Sequence, residues 1–233
     1  MRKAVVEFDL IQNGDRIAVG ISGGKDSLVL LSGLSSLRKF IGIDFEIVGI
    51  TLDPQFGGIT TDYSPVEELC KKLNVEYHIQ RTEIGRIVFD VRKEEHPCSL
   101  CARMRRGALH DMTKALGCNK LALGHHKDDV VETFMMNLFI EGRIGCFAPK
   151  SYLSRKDITL IRPLVFATER DIKKAASKSE ITIVKSRCPA DGHTKREEYK
   201  EWLREKNRLD SGFSDRIFGA LRRSGVDDWG FRQ

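Results

Sequence analysis

The chain predicts an α/β fold: a parallel β-sheet with helices on both faces, followed by a C-terminal helical extension. Three observations carry this. Short apolar runs alternate with segments of helical periodicity through the first two thirds of the chain. The first run, Ile17-Ala18-Val19, leads into a glycine-rich turn and then straight into an apolar helix. From Thr168 onward the pattern becomes helical and densely charged. Division follows the same change, with one unit expected over 1–166 and the extension over 167–233.

Residues 1 to 14 read as a short helix or arm ending in the Asn13-Gly14 turn. A helix is expected after the glycine turn as far as about Phe40. The second strand, Phe45 to Leu52, stops at Asp53-Pro54 and opens into a loop over 55–62. Ser64, Pro65 and Glu67 have the spacing of a capping box for the next helix. Val75 to Gln80 reads as the third strand and Lys120 to Gly124 as the fourth. His125 to Asp129 then lead into a helix with apolar residues at 130, 131, 134, 135 and 138. Leu160 to Leu164 is a fifth strand candidate. In such sheets ligands sit beyond the carboxyl ends of the strands, where Ser22, Asp53 and His125 would lie. Thr168 with Asp171, and Thr194 with Glu197, are spaced as helix N-terminal caps. Residues 195–233 carry ten basic and eight acidic side chains, the composition of solvated helices.

Composition excludes several classes. The longest stretch without Asp, Glu, Lys or Arg is Ser27 to Leu37, well short of the roughly 20 apolar residues that span a membrane. Arg2, Lys3, Glu7 and Asp9 interrupt the N-terminal apolar residues, so no signal peptide is expected and the protein is placed in the cytoplasm, with no membrane partner. A net charge of +6 favours a polyanionic partner. Six cysteines without an export signal argue for metal, cluster or thiol chemistry rather than a disulfide framework. Cys70, Cys118 and Cys146 stand alone in apolar surroundings, as core residues do.

The most informative stretch is Ser22-Gly23-Gly24-Lys25-Asp26-Ser27, between a strand and a helix start. Unpaired N–H groups and the helix dipole converge there, the glycines let an oxyanion come close, and Lys25 adds a point charge, so phosphate is the expected guest. A Walker loop would need Gly five residues before the Gly-Lys pair and Ser or Thr after the Lys, where Val19 and Asp26 stand. A second site is Cys98-x-x-Cys101 opening a helix, which puts two thiols at one centre and would lower their pKa through the helix end. Cys188, in a loop-forming stretch between charged segments, is the candidate that completes it.

The hexamer Ser22 to Ser27 resembles the signature of the PP-loop ATP pyrophosphatase superfamily. Together with Pro97 to Arg106, with Gly124-His125-His126-Lys127-Asp128-Asp129 and with the late Cys188, in that order, the chain resembles the tRNA 2-thiocytidine synthetase family and its 2-thiouridine relatives. The resemblance implies a Rossmann-like PP-loop ATPase fold and ATP-dependent thiolation of a tRNA cytidine at C2, releasing AMP and pyrophosphate. It implies that Ser22, Gly23, Gly24, Lys25, Asp26, Ser27, Asp53, Gly124 and His125 bind ATP, with Lys25, Asp26 and Asp128 in catalysis and Mg2+ as companion ion. It further implies a [4Fe-4S] cluster on Cys98, Cys101 and Cys188 whose fourth iron is free to carry sulfur. Arg103, Arg105, Arg106 and Lys150 are the tRNA-contact candidates. The expected partners are tRNA and a sulfur donor such as a cysteine desulfurase, with a homodimer left open. Alternatives stand beside this: a thiouridine or lysidine synthetase, an adenylating amide ligase, or a tRNA-binding module in which His193 or His96 completes a structural zinc site. Asp53 has a second reading as a turn residue, Asp129 as a helix cap, and His126 as packed into the sheet end.

Overall fold

The computed structural model describes residues 1–93, 97–190 and 195–230. The chain runs α1 (Arg2–Glu7), β1 (Asp15–Gly20), α2 (Lys25–Leu37), β2 (Phe45–Asp53), α3 (Ser64–Leu73), β3 (Glu76–Arg81), α4 (Pro97–Ala115), β4 (Lys120–Ala122), α5 (Lys127–Phe139), β5 (Lys150–Leu153), β6 (Ile158–Ile161), α6 (Glu169–Lys178), α7 (Lys195–Leu209) and α8 (Phe213–Ser224). A π-helical turn, Arg86–Val91, packs against α4. Six strands form one sheet in the order β3-β2-β1-β4-β6-β5, all parallel except β5.

β1 is central because Ile17, Ala18 and Val19 carry no polar atom on either face and are fully buried. Its two neighbours pair through the same residues, Ile17 facing Ile47 on β2 and Lys120 on β4. Strand order reverses between β1 and β4, and at such a switch point the carboxyl ends leave a crevice. At the opposite end of these strands Lys120 Nζ pairs with Asp15 Oδ2 at 2.6 Å, both buried, and donates to Leu10 O at 2.9 Å.

Several expectations change. β5 was not legible: it is four residues long and separated from β6 by Arg155-Lys156-Asp157, a charged turn in which Asp157 has φ +50°. The fifth parallel element is Ile158–Ile161 rather than Leu160 to Leu164, and α2 stops at Leu37 short of Phe40. The capping box at Ser64 does not form. Ser64 is already helical, and its N–H is taken by Asp62 Oδ1 at 2.9 Å, because a short Asp side chain reaches the amide two residues on. Thr168 does cap α6, with Asp171 returning the bond. The Thr194 cap lies outside the described residues.

The charged C-terminal helices are not simply solvated. Leu203, Phe218, Leu221 and Trp229 are buried in the main core beside residues of α1, α2 and α5, since one apolar residue per turn is enough to seat a helix. Trp229 packs edge-on against Phe8 and Phe218, and its Nε1 donates to Phe147 O at 3.0 Å. Cys70, Cys118 and Cys146 are buried as expected. Among the described residues no helix is long and apolar enough to cross a membrane.

Candidate active site

The glycine loop is folded by its own serines. Ser27 Oγ donates to Gly24 O (2.9 Å) and accepts from Ser22 N (3.2 Å), while Ser22 Oγ accepts from Gly24 N (3.3 Å). Gly24 is the N-cap of α2 and brings no side chain to the helix end, so the first-turn N–H groups face outward, the arrangement that receives an oxyanion. Gly23 has φ +83°, a conformation that favours glycine. Gly124 lets the end of β4 touch the start of α2: a Cβ there would stand 3.1 Å from Asp26 C and Ser27 N.

The loop opens on a cleft of about 660 Å³ between the carboxyl ends of β1 and β4. Ser22, Asp26 and Ser27 form one wall, and Ile50 and Leu52 on β2 supply an apolar floor. One face of α4 forms another wall, with Ala102, Arg105, Arg106 and Leu109 at the i, i+3, i+4, i+7 spacing of a helix stripe. His125 and Asp129 follow from the start of α5, Arg162 from the end of β6 and Arg196 from α7. Four arginines face two aspartates, so the cleft suits a polyanion. Arg196 is fixed by Asp129 Oδ1 (3.6 Å) and Thr133 Oγ1 (3.2 Å), so the C-terminal segment completes the cleft.

Lys25 Nζ lies 3.1 Å from Asp26 Oδ1 and 3.4 Å from Glu169 Oε1. Burial works against its charge, but the two carboxylates outweigh burial and raise its pKa above the ordinary lysine value. Glu169 also gathers Lys173 (3.4 Å), Lys200 (3.3 Å) and Arg204 (3.5 Å). Burial opposes its ionisation, yet these cations, Lys200 and Lys25 foremost, bring its carboxyl down to about 2. Asp26 Oδ1 is shielded and, apart from its ion pairs with Lys25 (3.1 Å) and His126 (3.8 Å), accepts no hydrogen bond, which leaves a carboxylate oxygen that a divalent ion could take.

His126 is buried and caps α5: its Nδ1 accepts from Asp129 N (3.4 Å), and Asp129 Oδ2 accepts from His126 N (2.9 Å). Asp129 is therefore both cap partner and cleft wall. Burial disfavours the His126 imidazolium, but Asp128, Asp129 and Asp26 together raise its pKa. Asp128 is half-exposed and accepts from the α6 amide of Glu169 at 2.7 Å. Burial tends to raise its carboxyl, but the His126 and Glu169 bonds prevail and lower it. Asp53 is buried at the end of β2, where its oxygens accept from Gln55 N (3.2 Å) and Thr61 N (3.1 Å), tying the following loop. Lys150 Nζ donates to Asp9 O at 2.5 Å, and Arg103 is exposed off the lining stripe of α4. Arg105 and Arg106 are on the stripe.

Cys98, Cys101 and Cys188 are all free thiols, exposed, buried and half-buried respectively. Cys101 packs on Ile84 and Val88. The expected drop in its pKa does not occur: burial pushes the thiol up, Arg105 pulls it down, and the charges of Cys188 and Cys98 raise it further. Cys98 and Cys188 are thus close enough for their charges to be felt at Cys101, and three thiols are a donor set that suits an iron–sulfur cluster. Among the described residues no three His, Cys, Asp or Glu side chains are gathered closely enough to hold a single metal ion. His96 and His193 lie outside the described residues. The 181–190 segment that carries Cys188 crosses the glycine loop, where Val184 N donates to Gly23 O at 3.0 Å.

Arg162, Glu169 and Arg196 were not legible as site residues. Arg162 follows an apolar strand run directly, so the carboxyl-end rule that selected His125 applies to it as well. Arg196 and Glu169 look like ordinary members of charged helices, and no local signal marks them.

Residues 2–205 match the family model of the PP-loop domain. A tRNA-cytidine(32) 2-sulfurtransferase of Ralstonia pickettii is 39% identical over 94% of this chain and 70% of its own length. The tRNA-cytidine(32) 2-sulfurtransferase of Pelobacter propionicus is 40% identical over 87% of this chain and 76% of its own. Among solved structures, the U34-tRNA thiolase NcsA from Methanococcus maripaludis, with its [4Fe-4S] cluster, superposes with a TM-score of 0.77 at 27% identity, covering 96% of this chain and 76% of that one.

Proposed function

Because the chain belongs to the PP-loop family, and within it to the tRNA-cytidine(32) 2-sulfurtransferases, we propose that it replaces the C2 oxygen of a tRNA cytidine with sulfur in a reaction driven by ATP. The observation that carries the reading is that one cleft is lined both by the glycine loop, through Ser22 and Asp26, and by the helix of Cys98 and Cys101, through Ala102 and Arg105. Activation and sulfur delivery can then act on one base without its leaving the site. Cytidine is preferred to uridine because the cytidine relatives are 39% and 40% identical, against 27% for the uridine-34 thiolase.

The outward N–H groups of the loop and α2 receive the β- and γ-phosphates of ATP, and Lys25 offsets their charge. The cytosine C2 oxygen attacks the α-phosphorus, pyrophosphate leaves, and the carbon is left bearing AMP in place of a poor leaving group. Attack of sulfur at C2 then expels AMP, so one C–O bond is exchanged for one C–S bond. Asp26 would hold Mg2+, which neutralises charge building on the phosphates. Cys98, Cys101 and Cys188 would hold a [4Fe-4S] cluster, which would supply the sulfur as sulfide; sulfur from a persulfide donor such as a cysteine desulfurase would first have to be reduced by two electrons from a thiol reductant. Arg105, Arg106 and Arg196 line the entrance and hold the RNA backbone while the base is turned out of its stack, a cost of about a few kcal/mol that is smallest in a loop. The reading places the protein in the cytoplasm with tRNA and ATP.

Anaerobically reconstituted protein, ATP, sulfide and tRNA bearing cytidine at position 32 should yield 2-thiocytidine by mass spectrometry of nucleosides, with AMP and pyrophosphate in equal amount. Release of ADP and phosphate, or thiolation of a tRNA lacking that cytidine, would overturn the reading.

A further inference from the structure

We propose that Arg162 and His125 form a second phosphate site in the cleft, separate from the glycine loop, that takes either the α-phosphate of the nucleotide or a backbone phosphate of the RNA. Arg162 is only 7% exposed, yet it makes no ion pair with a carboxylate among the described residues. A buried cation without a counter-charge is costly, and an anionic guest removes that cost.

The guanidinium is aimed rather than loose. Its Nη1 donates to Ala148 O (2.6 Å), its Nε to His125 Nδ1 (3.3 Å), and its plane lies 4.8 Å above the Phe147 ring, on which His125 also stacks at 4.8 Å. Phe147 is in turn held by Trp229. Nη2 has no acceptor among the described residues. Because Nδ1 of His125 accepts from Arg162, its proton sits on Nε2, which is left free to donate. Both residues line the cleft, so two donors and one positive charge meet there.

The nearby groups confirm that this charge stands uncompensated. Cys146 is the one neighbour whose ionisation would favour Arg162, but burial pushes its thiol up to about 12 and keeps it protonated. Burial, then Arg162 and Arg196, bring His125 down to about 3, so it stays neutral. Arg162 itself, lowered by burial to about 10, remains charged at neutral pH. It leaves β6, two strands and thus roughly 10 Å from the loop that leaves β1, which makes it a subsite distinct from the one around Lys25.

The choice of guest rests on the proposed function, but the test reads equilibrium binding and stands whether or not thiolation is seen. Wild type, Arg162→Gln and Arg162→Lys are compared for binding of AMP, adenosine and a tRNA anticodon stem-loop, with melting temperature recorded for each. One lost charge-assisted donor should weaken the guest about ten- to hundredfold in the Gln variant and less in the Lys variant. Weakening of AMP with adenosine unchanged assigns the α-phosphate. Weakening of the stem-loop, with a salt slope shallower by about one, assigns an RNA phosphate. Folded variants that bind AMP and the stem-loop as tightly as wild type would overturn the site. If Arg162→Gln does not fold, Arg162→Lys alone decides, since it keeps the charge and loses the fork.

Discussion

Val184 donates its backbone N–H to the carbonyl of Gly23 at 3.0 Å, and its side chain lies so close that a Cβ on Gly23 would stand 2.8 Å from the Val184 Cβ. The phosphate loop and the segment leading to Cys188 are thereby one construction. Placing Ala at position 23 adds roughly 1–2 kcal/mol of left-handed strain to that clash. Gly23→Ala should lose nucleotide binding and also loosen Cys188, seen as faster alkylation of that cysteine. Val184→Gly on top of it, which removes the clashing Cβ, should restore the slow alkylation in part but not the affinity, because the left-handed strain at position 23 remains. Normal ATP affinity in Gly23→Ala would show that the loop tolerates the strain.

Lys25→Ala and Asp26→Ala should each fold normally and lose ATP-dependent turnover, since Asp26 lines the cleft and the Lys25 ammonium lies in an ion-pair cluster with Asp26 and Glu169 rather than in the apolar core. Lys25→Ala also removes one of the four cations on Glu169. Steady-state kinetics with a melting curve beside them would separate the effects. Turnover near wild type in either variant would contradict the assignment of this loop.

Replacing Cys98, Cys101 or Cys188 by Ala should abolish thiolation and reduce bound iron. The same change at Cys70, Cys118 or Cys146 should cost stability alone, because those thiols are buried in the apolar core. Iron content and visible absorption after anaerobic reconstitution provide the check. Full iron binding in all three of the first set would rule out their ligand role.

Glu132 predicts a pH effect. It is buried on α5, and burial, with help from Asp129, raises its carboxyl to about 7. The folded protein therefore binds a proton that the unfolded chain has released between pH 4.5 and 7, so this residue's contribution to stability falls as pH rises through that window. Glu132→Gln should remove the dependence and stabilise the protein at pH 8 by roughly 2 kcal/mol, short of the full linkage value because the buried amide that replaces the carboxyl must itself be desolvated. Chemical denaturation at pH 5 and pH 8 would show it. Equal destabilisation at both pH values would mean that the carboxylate is structurally required.

The sequence by itself determined what depends on neighbours along the chain. An apolar run with no polar face had to be a central strand, and Ile17 to Val19 is one. Glycines and serines between that strand and a helix had to make an anion loop, and Thr168 with Asp171 had to start a helix. Even a two-turn stripe such as Ala102, Arg105, Arg106 and Leu109 was present in the text, although which face it would show to the cleft was not. Only the tertiary structure decided what lies across sheet edges and between distant helices. Short β5 owes its existence to pairing with β6 rather than to its own composition. Arg196, Glu169 and Arg162 acquire their meaning from partners 67, 144 and 37 residues away in the chain, at Asp129, Lys25 and His125. Electrostatic and hydrogen-bond partners are chosen by distance in space, and a linear pattern of charges carries no record of it.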